Sequence, residues 1–300
     1  MRKKLVYFWI LSVLVSGFLS AEENSCPPAE NACQKNEQQA PATPPPAKTC
    51  PSPHHFSANV SLVSDYRFRG ISQTMRQPAI QGGFNYSNDC GLYLGTWASN
   101  VDGTCHFFNN TSMEWDLYGG YKRPFFPCRC PDFTYDVGLY YYYYPAGEEH
   151  VPERTHYNTL EYYIQITFKK VSVKYWQTLT NYFGNNSNSP PFNWEDGFFD
   201  APNGSSRGSI YIQGDWTMDF CKKWNLLLHV GHQWVRHYNH ISYTDWLASL
   251  TYKFKWFNAF VSYVGTNANH DYFDVPDSAF DPHERHLGAQ GFVFGIIRTF

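Results

Sequence analysis

The segment Gly288 to Phe300 alternates with a period of two. Large apolar side chains stand at Phe292, Phe294, Ile296 and Phe300, and small ones at Gly291, Gly295 and Thr299. Arg298 breaks the apolar face once. Period two is the signature of a β-strand with one apolar face. A soluble protein gains nothing from ending on an exposed aromatic, whereas a membrane barrel needs an outward apolar band edged by aromatics. Phe292, Phe294, Ile296 and Phe300 are therefore read as the strand that closes a barrel.

The same alternation recurs in twelve segments from Phe56 onward. In the first, Phe56, Ala58, Val60, Leu62, Tyr66 and Phe68 share one face, while Ser57, Asn59, Ser61, Asp65, Arg67 and Arg69 share the other. A helix would scatter those charges, so a strand over 56–69 is predicted. The others are 79–87, 91–100, 112–122, 132–144, 156–168, 171–182, 208–219, 224–236, 240–253, 256–266 and 287–300. After the N-terminal segment no stretch is apolar enough for a spanning helix, and only a closed barrel leaves no unpaired strand edge in lipid. The expected fold is all-β, a transmembrane up-and-down antiparallel barrel of about 12 strands. Aromatics at 19% against 16% charged residues fit that class. A secreted β-sandwich is the alternative.

Residues 1–21 are expected to be a signal peptide: Arg2, Lys3 and Lys4 precede an apolar run, and Leu19-Ser20-Ala21 is a passable cleavage site. Residues 22–54, rich in Pro and Cys, read as an extended periplasmic linker. Residues 55–300 form the barrel. Its connections alternate in length, short after even strands and mostly long after odd ones, with 236–239 the short exception. Short periplasmic turns and long outer loops would place both termini in the periplasm. A formal charge of −3 points to no nucleic-acid partner.

A cation facing lipid near the midplane costs about 2–4 kcal/mol, so the charged phase should face inward. That assigns Asp65, Arg67, Arg69, Glu114, Asp116, Asp136, Glu161, Asp215 and Asp245 to the lumen wall. Seven of these nine are acidic, set against two arginines on the first strand. They could line a small pore with an acidic wall, or pair into a network that fills the barrel. Many histidines, among them His270 and His286, fall in the outer connections, but no spacing matches a metal motif; solvated loops are expected, with no metal ligand and no cofactor. A membrane-embedded lipid-modifying enzyme would need a Ser with His and an orienting acid or amide. His229 and His232 are the mid-strand histidines, three apart and so on opposite faces, and no catalytic residue is assigned.

Eight Cys in a secreted chain point to disulfides. Cys26, Cys33 and Cys50 lie in the linker, and Cys90, Cys128, Cys130 and Cys221 in the short turns, all on the expected periplasmic side. Local staples compete with cross-links to envelope partners or to other copies of the chain.

Three stretches carry a family resemblance: Ser64-Asp65-Tyr66-Arg67-Phe68-Arg69-Gly70-Ile71-Ser72-Gln73-Thr74, then Pro78-Ala79-Ile80-Gln81-Gly82, then Gly91 through Val101. With Asp116 to Tyr121, Ser262 to Thr266 and the terminal Arg298-Thr299-Phe300, they resemble the Gcw_chp, or TorF, family of bacterial outer-membrane porins. The Cys-bearing linker and turns depart from that pattern and resemble the cross-linked envelopes of chlamydia-like bacteria. The resemblance implies a barrel in the outer membrane of a Gram-negative bacterium, in contact with its lipid, and no defined substrate. The resulting expectation is a passive diffusion channel for small hydrophilic solutes with mild cation preference. The alternative is a disulfide-cross-linked envelope protein with a filled barrel.

Overall fold

A computed structural model describes residues 53–102, 111–149, 155–186, 204–278 and 281–300. The leader and nearly all of the linker, including Cys26, Cys33 and Cys50, lie outside the described residues, as does Cys105. Alternation becomes twelve antiparallel strands: β1 (His54–Val63), β2 (Ala79–Asn88), β3 (Leu92–Asn100), β4 (Met113–Phe126), β5 (Cys130–Tyr143), β6 (Thr159–Phe168), β7 (Val171–Thr178), β8 (Ile210–Phe220), β9 (Trp224–Trp234), β10 (Tyr243–Lys253), β11 (Asn258–Thr266) and β12 (Gly291–Thr299). Each pairs with its neighbours in sequence, and β1 pairs with β12 to close the barrel. The closing register runs from Asn59 opposite Thr299 to Val63 opposite Gly295, and the Phe300 amide donates to the Ala58 carbonyl at 2.8 Å. No edge is left open, which satisfies every strand internally.

The outer surface is apolar. Phe56, Ile80, Leu94 and Phe292 are each at least 60% exposed, and Phe294 and Ile296 continue that band along β12. So much exposed apolar area is unstable in water and fits a lipid solvent. Phe300, at 71%, sits at the short-turn rim, where Arg298 stacks over Phe300 and Trp256 and donates to the Trp256 carbonyl. The single charge on the closing strand's apolar face thus belongs to an aromatic rim, where cations are tolerated.

Connections of unequal length fall at opposite ends, as the spacing predicts. Short turns join β2–β3, β4–β5, β6–β7, β8–β9 and β10–β11, while six longer connections gather at the other mouth. Arg236 to Asn239 belongs to one of the latter, with a 3-10 turn at Asn239–Ile241. The first strand is the correction. It ends at Val63, not near Arg69, and residues 64–78 leave the wall and fold into the lumen. Tyr66 and Phe68, expected to face lipid, are inside. The largest buried apolar cluster accordingly lies at the long-connection mouth, where Ile71 and Met75 of this insert meet Val235, Ile241, Phe273 and Leu287.

Candidate functional site

The insert is a plug built on a two-residue hairpin. Arg67–Phe68 pairs with Ile71–Ser72, and the turn residues Arg69 and Gly70 have φ of 46° and 81°. Two consecutive positive φ values suit the right-handed twist of a tight hairpin. Glycine takes this conformation freely; Arg69 does so at a cost, held by what its side chain reaches. A Cβ on Gly70 would overlap Thr266 Cγ2 and come within 2.9 Å of Asp245 Cβ, so the turn sits flush against the wall.

Arg69 is the anchor. Its guanidinium meets Glu161 in a bidentate pair at 2.6 and 3.2 Å and donates to Gln233 Oε1 at 2.6 Å. It also lies over the rings of Tyr211 and Phe68, 4.3 and 4.8 Å from their centroids. A planar guanidinium is suited to a paired, desolvated site of this kind. Arg67 ties the plug to the β11–β12 connection: it contacts Asp65 at 2.5 Å and donates to the Leu287 carbonyl at 2.7 Å. Asp65 also accepts from Ser72 Oγ at 2.6 Å. Phe68 meets Tyr142 and Phe183 edge-on, a favoured aromatic geometry. Beside them, burial pushes the Tyr182 phenol up to about 12, which keeps it neutral.

All nine expected lumen residues lie inside the barrel, but Asp65, Arg67 and Arg69 belong to the plug and the other six to the wall. Glu114, Asp116, Glu161 and Asp245 stand near the long-connection ends of their strands and are almost wholly buried under the plug. Tyr66 donates to Glu114 at 3.1 Å and Tyr140 to Asp116 at 2.8 Å. Glu114 Oε2 and Asp116 Oδ1 have no hydrogen-bond partner, and neither residue has an ion pair among the described residues. Buried carboxylates without a cation are costly.

Sequence reasoning singled out His229 but gave it no partners. Its two ring nitrogens contact Asp215 at 2.6 Å and Asp245 at 2.9 Å, and Tyr211 donates to Asp245 at 2.9 Å. Only the register, with His229 opposite Asp215 on β8 and beside Asp245 on β10, brings them together. Both ring nitrogens face carboxylates, and the hydroxyl beside Nε2 is that of Tyr211, not a serine. From mid-strand towards the short-turn end the wall opens: Asn85, Gln165 and Asp215 are half-buried, and Asp136 accepts from Tyr93 at 2.6 Å. Lys174 lies over Tyr163 and Trp176 at 3.8 and 4.0 Å. Cys90 and Cys128 are disulfide-bonded, whereas Cys130 and Cys221, expected among the bridging cysteines, are free thiols.

Residues 47–300 match the family described as "Bacterial protein of unknown function (Gcw_chp)". The chain belongs to the Gcw_chp family. Its Asp-Tyr-Arg-Phe-Arg-Gly element, which carried the resemblance in sequence, is the plug. No curated protein matches the chain. Among solved structures, the KdgM porin in complex with disordered oligogalacturonate is similar at 9% identity and a TM-score of 0.45, over 83% of this chain and 99% of that one. OprD of Pseudomonas aeruginosa is similar at 9% identity and TM-score 0.36, over 82% of this chain and 66% of that one. OccAB1 of Acinetobacter baumannii is similar at 13% identity and TM-score 0.37, over 75% and 57% respectively.

Proposed function

We propose that this Gcw_chp protein is a channel of the Gram-negative outer membrane that passes small hydrophilic solutes with a mild preference for cations. The observation that carries the reading is the contrast between an apolar outer face and a polar lumen, half-open towards the short turns and stoppered at the other mouth by residues 64–78. A barrel meant only as an anchor has no need of polar side chains along its half-open interior. The sign of the preference follows from the pairing. Arg69 answers Glu161, Arg67 answers Asp65, and His229 is shared by Asp215 and Asp245. Counted with Lys122 and Lys174, which share the lumen phase with Asp136, five basic side chains stand against seven acidic ones, and that acidic excess supports the sign. Acidic walls raise the local concentration of cations.

Planar-bilayer recording tests this. The parent should give small, noisy conductance steps, and deletion of the plug hairpin Arg67–Ser72 should enlarge them. A plug-deleted barrel that keeps its heat-dependent gel mobility yet conducts nothing would refute the channel. It would leave the filled envelope anchor in its place.

A further inference from the structure

Above the plug, at the long-connection mouth, three side chains of metal-binding type converge from separate positions in the chain. His270 opens the short helix His270–Phe273, Asp274 follows that helix, and His286 ends the hairpin formed by Asp274–Ser278 and Asp281–His286. The hairpin pairs Asp274 with His286 directly, while the helical turn brings His270 back over Asp274. His270 Nδ1 lies 2.9 Å from one carboxylate oxygen of Asp274, and His286 Nδ1 lies 2.5 Å from the other. The two imidazoles stack at a centroid distance of 3.9 Å and an interplanar angle of 20°. One ligand atom from each of the three residues falls within 4.8 Å of the others.

We propose that His270, Asp274 and His286 form a binding site for a divalent transition metal of the zinc class. Two imidazole nitrogens and one carboxylate oxygen are the donor set that such ions take with three protein ligands, leaving a position for water. Calcium and magnesium call for a shell of oxygens, which this cluster lacks. The stacked rings argue the same way. Without an ion each Nδ1–H can donate to one oxygen of Asp274; once those protons are lost, both imidazole nitrogens and the carboxylate present lone pairs that one cation can accept together. Arg76 and Arg285 lie on the same mouth, but each directs its guanidinium to a backbone carbonyl, Arg76 to His286 at 2.5 Å and Arg285 to Met75. They add positive charge nearby, so the site is weaker than a closed four-ligand one. The spacing hid it: sixteen positions separate His270 from His286, and no short motif joins them.

The test is equilibrium dialysis of the tag-free, folded barrel in detergent against zinc, with magnesium and calcium in parallel. Zinc should bind near one equivalent per barrel, and magnesium and calcium should not compete. H270Q, H286Q and D274N should each weaken zinc binding by more than the roughly tenfold that loss of an outer-shell partner gives. All three variants should keep the parent's heat-dependent gel mobility, since the residues lie outside the barrel strands. No zinc uptake by the parent would overturn the proposal. So would a folded H270Q/H286Q double variant that binds as the parent does, because the metal would then be held by other histidines of the chain.

Discussion

Replacing Arg69 with alanine should release the plug without unfolding the barrel. In the parent, Arg69 and Glu161 are 5% and 1% exposed and joined by two hydrogen bonds. Removing one partner of a buried pair strands the other charge and costs about 3–5 kcal/mol. The bond to Gln233 and the ring contacts are lost as well. The barrel keeps its closed ladder, so the loss falls on the plugged state relative to the open one. At about 1.4 kcal/mol per factor of ten, the open population rises by roughly two to three and a half orders of magnitude. Single-channel recording should show R69A dwelling in a larger open level that the parent visits rarely. Hydrogen exchange of residues 64–78 should accelerate in step. A double-mutant cycle with E161Q isolates the pair, and R69A/E161Q should be less perturbed than the sum of its parts. If R69A conducts and exchanges as the parent does, the plug is held by something other than this ion pair and the reasoning fails.

Gly70→Ala should loosen the same plug without removing a charge, because its Cβ would overlap Thr266 and the turn requires positive φ; an unchanged conductance would show that the hairpin tolerates a shift. D136N, at a half-buried acid on the open part of the wall, should lower cation preference measured from reversal potentials, and more so at low salt, where the Debye length exceeds about 10 Å; a variant as selective as the parent would place the selectivity elsewhere. The folded barrel should run faster on SDS gels before boiling than after, since a closed ladder has no edge to open, and a mobility indifferent to heating would count against closure. Native envelopes run without reductant should show ladders that shrink when Cys26, Cys33 and Cys50 become Ser, whereas monomer alone would indicate that the turns are simply stapled.

The strands were legible because lipid and lumen impose opposite chemistry on alternate residues, and β12 with Phe292, Phe294 and Ile296 shows this at its simplest. The plug was not. Period two lapses only at Val63 and Ser64, which exchange faces, and resumes in the same phase through Arg69, so a hairpin bent into the lumen keeps the alternation of a strand that stays in the wall. Arg69-Gly70 was the available warning, since such a pair suits a turn with positive φ. The inward direction of the wall acids followed from the cost of charge in lipid. Their partners did not, because His229 meets Asp215 and Asp245 only through strand register, and Arg69 meets Glu161 across the lumen.

The plug leaves the wall between the first two strands, yet the residues it grips come much later in the chain. Arg69 reaches Glu161 and Gln233, 92 and 164 positions on, and Arg67 reaches Leu287 across 220. None of these contacts can form while the strand ladder is incomplete, and contacts at such separation are slow to form. During biogenesis the hairpin therefore stays loose until the last strand has met the first. Its locking is a late event that reports completion of the wall, so an unfinished barrel remains unstoppered and distinguishable from a finished one.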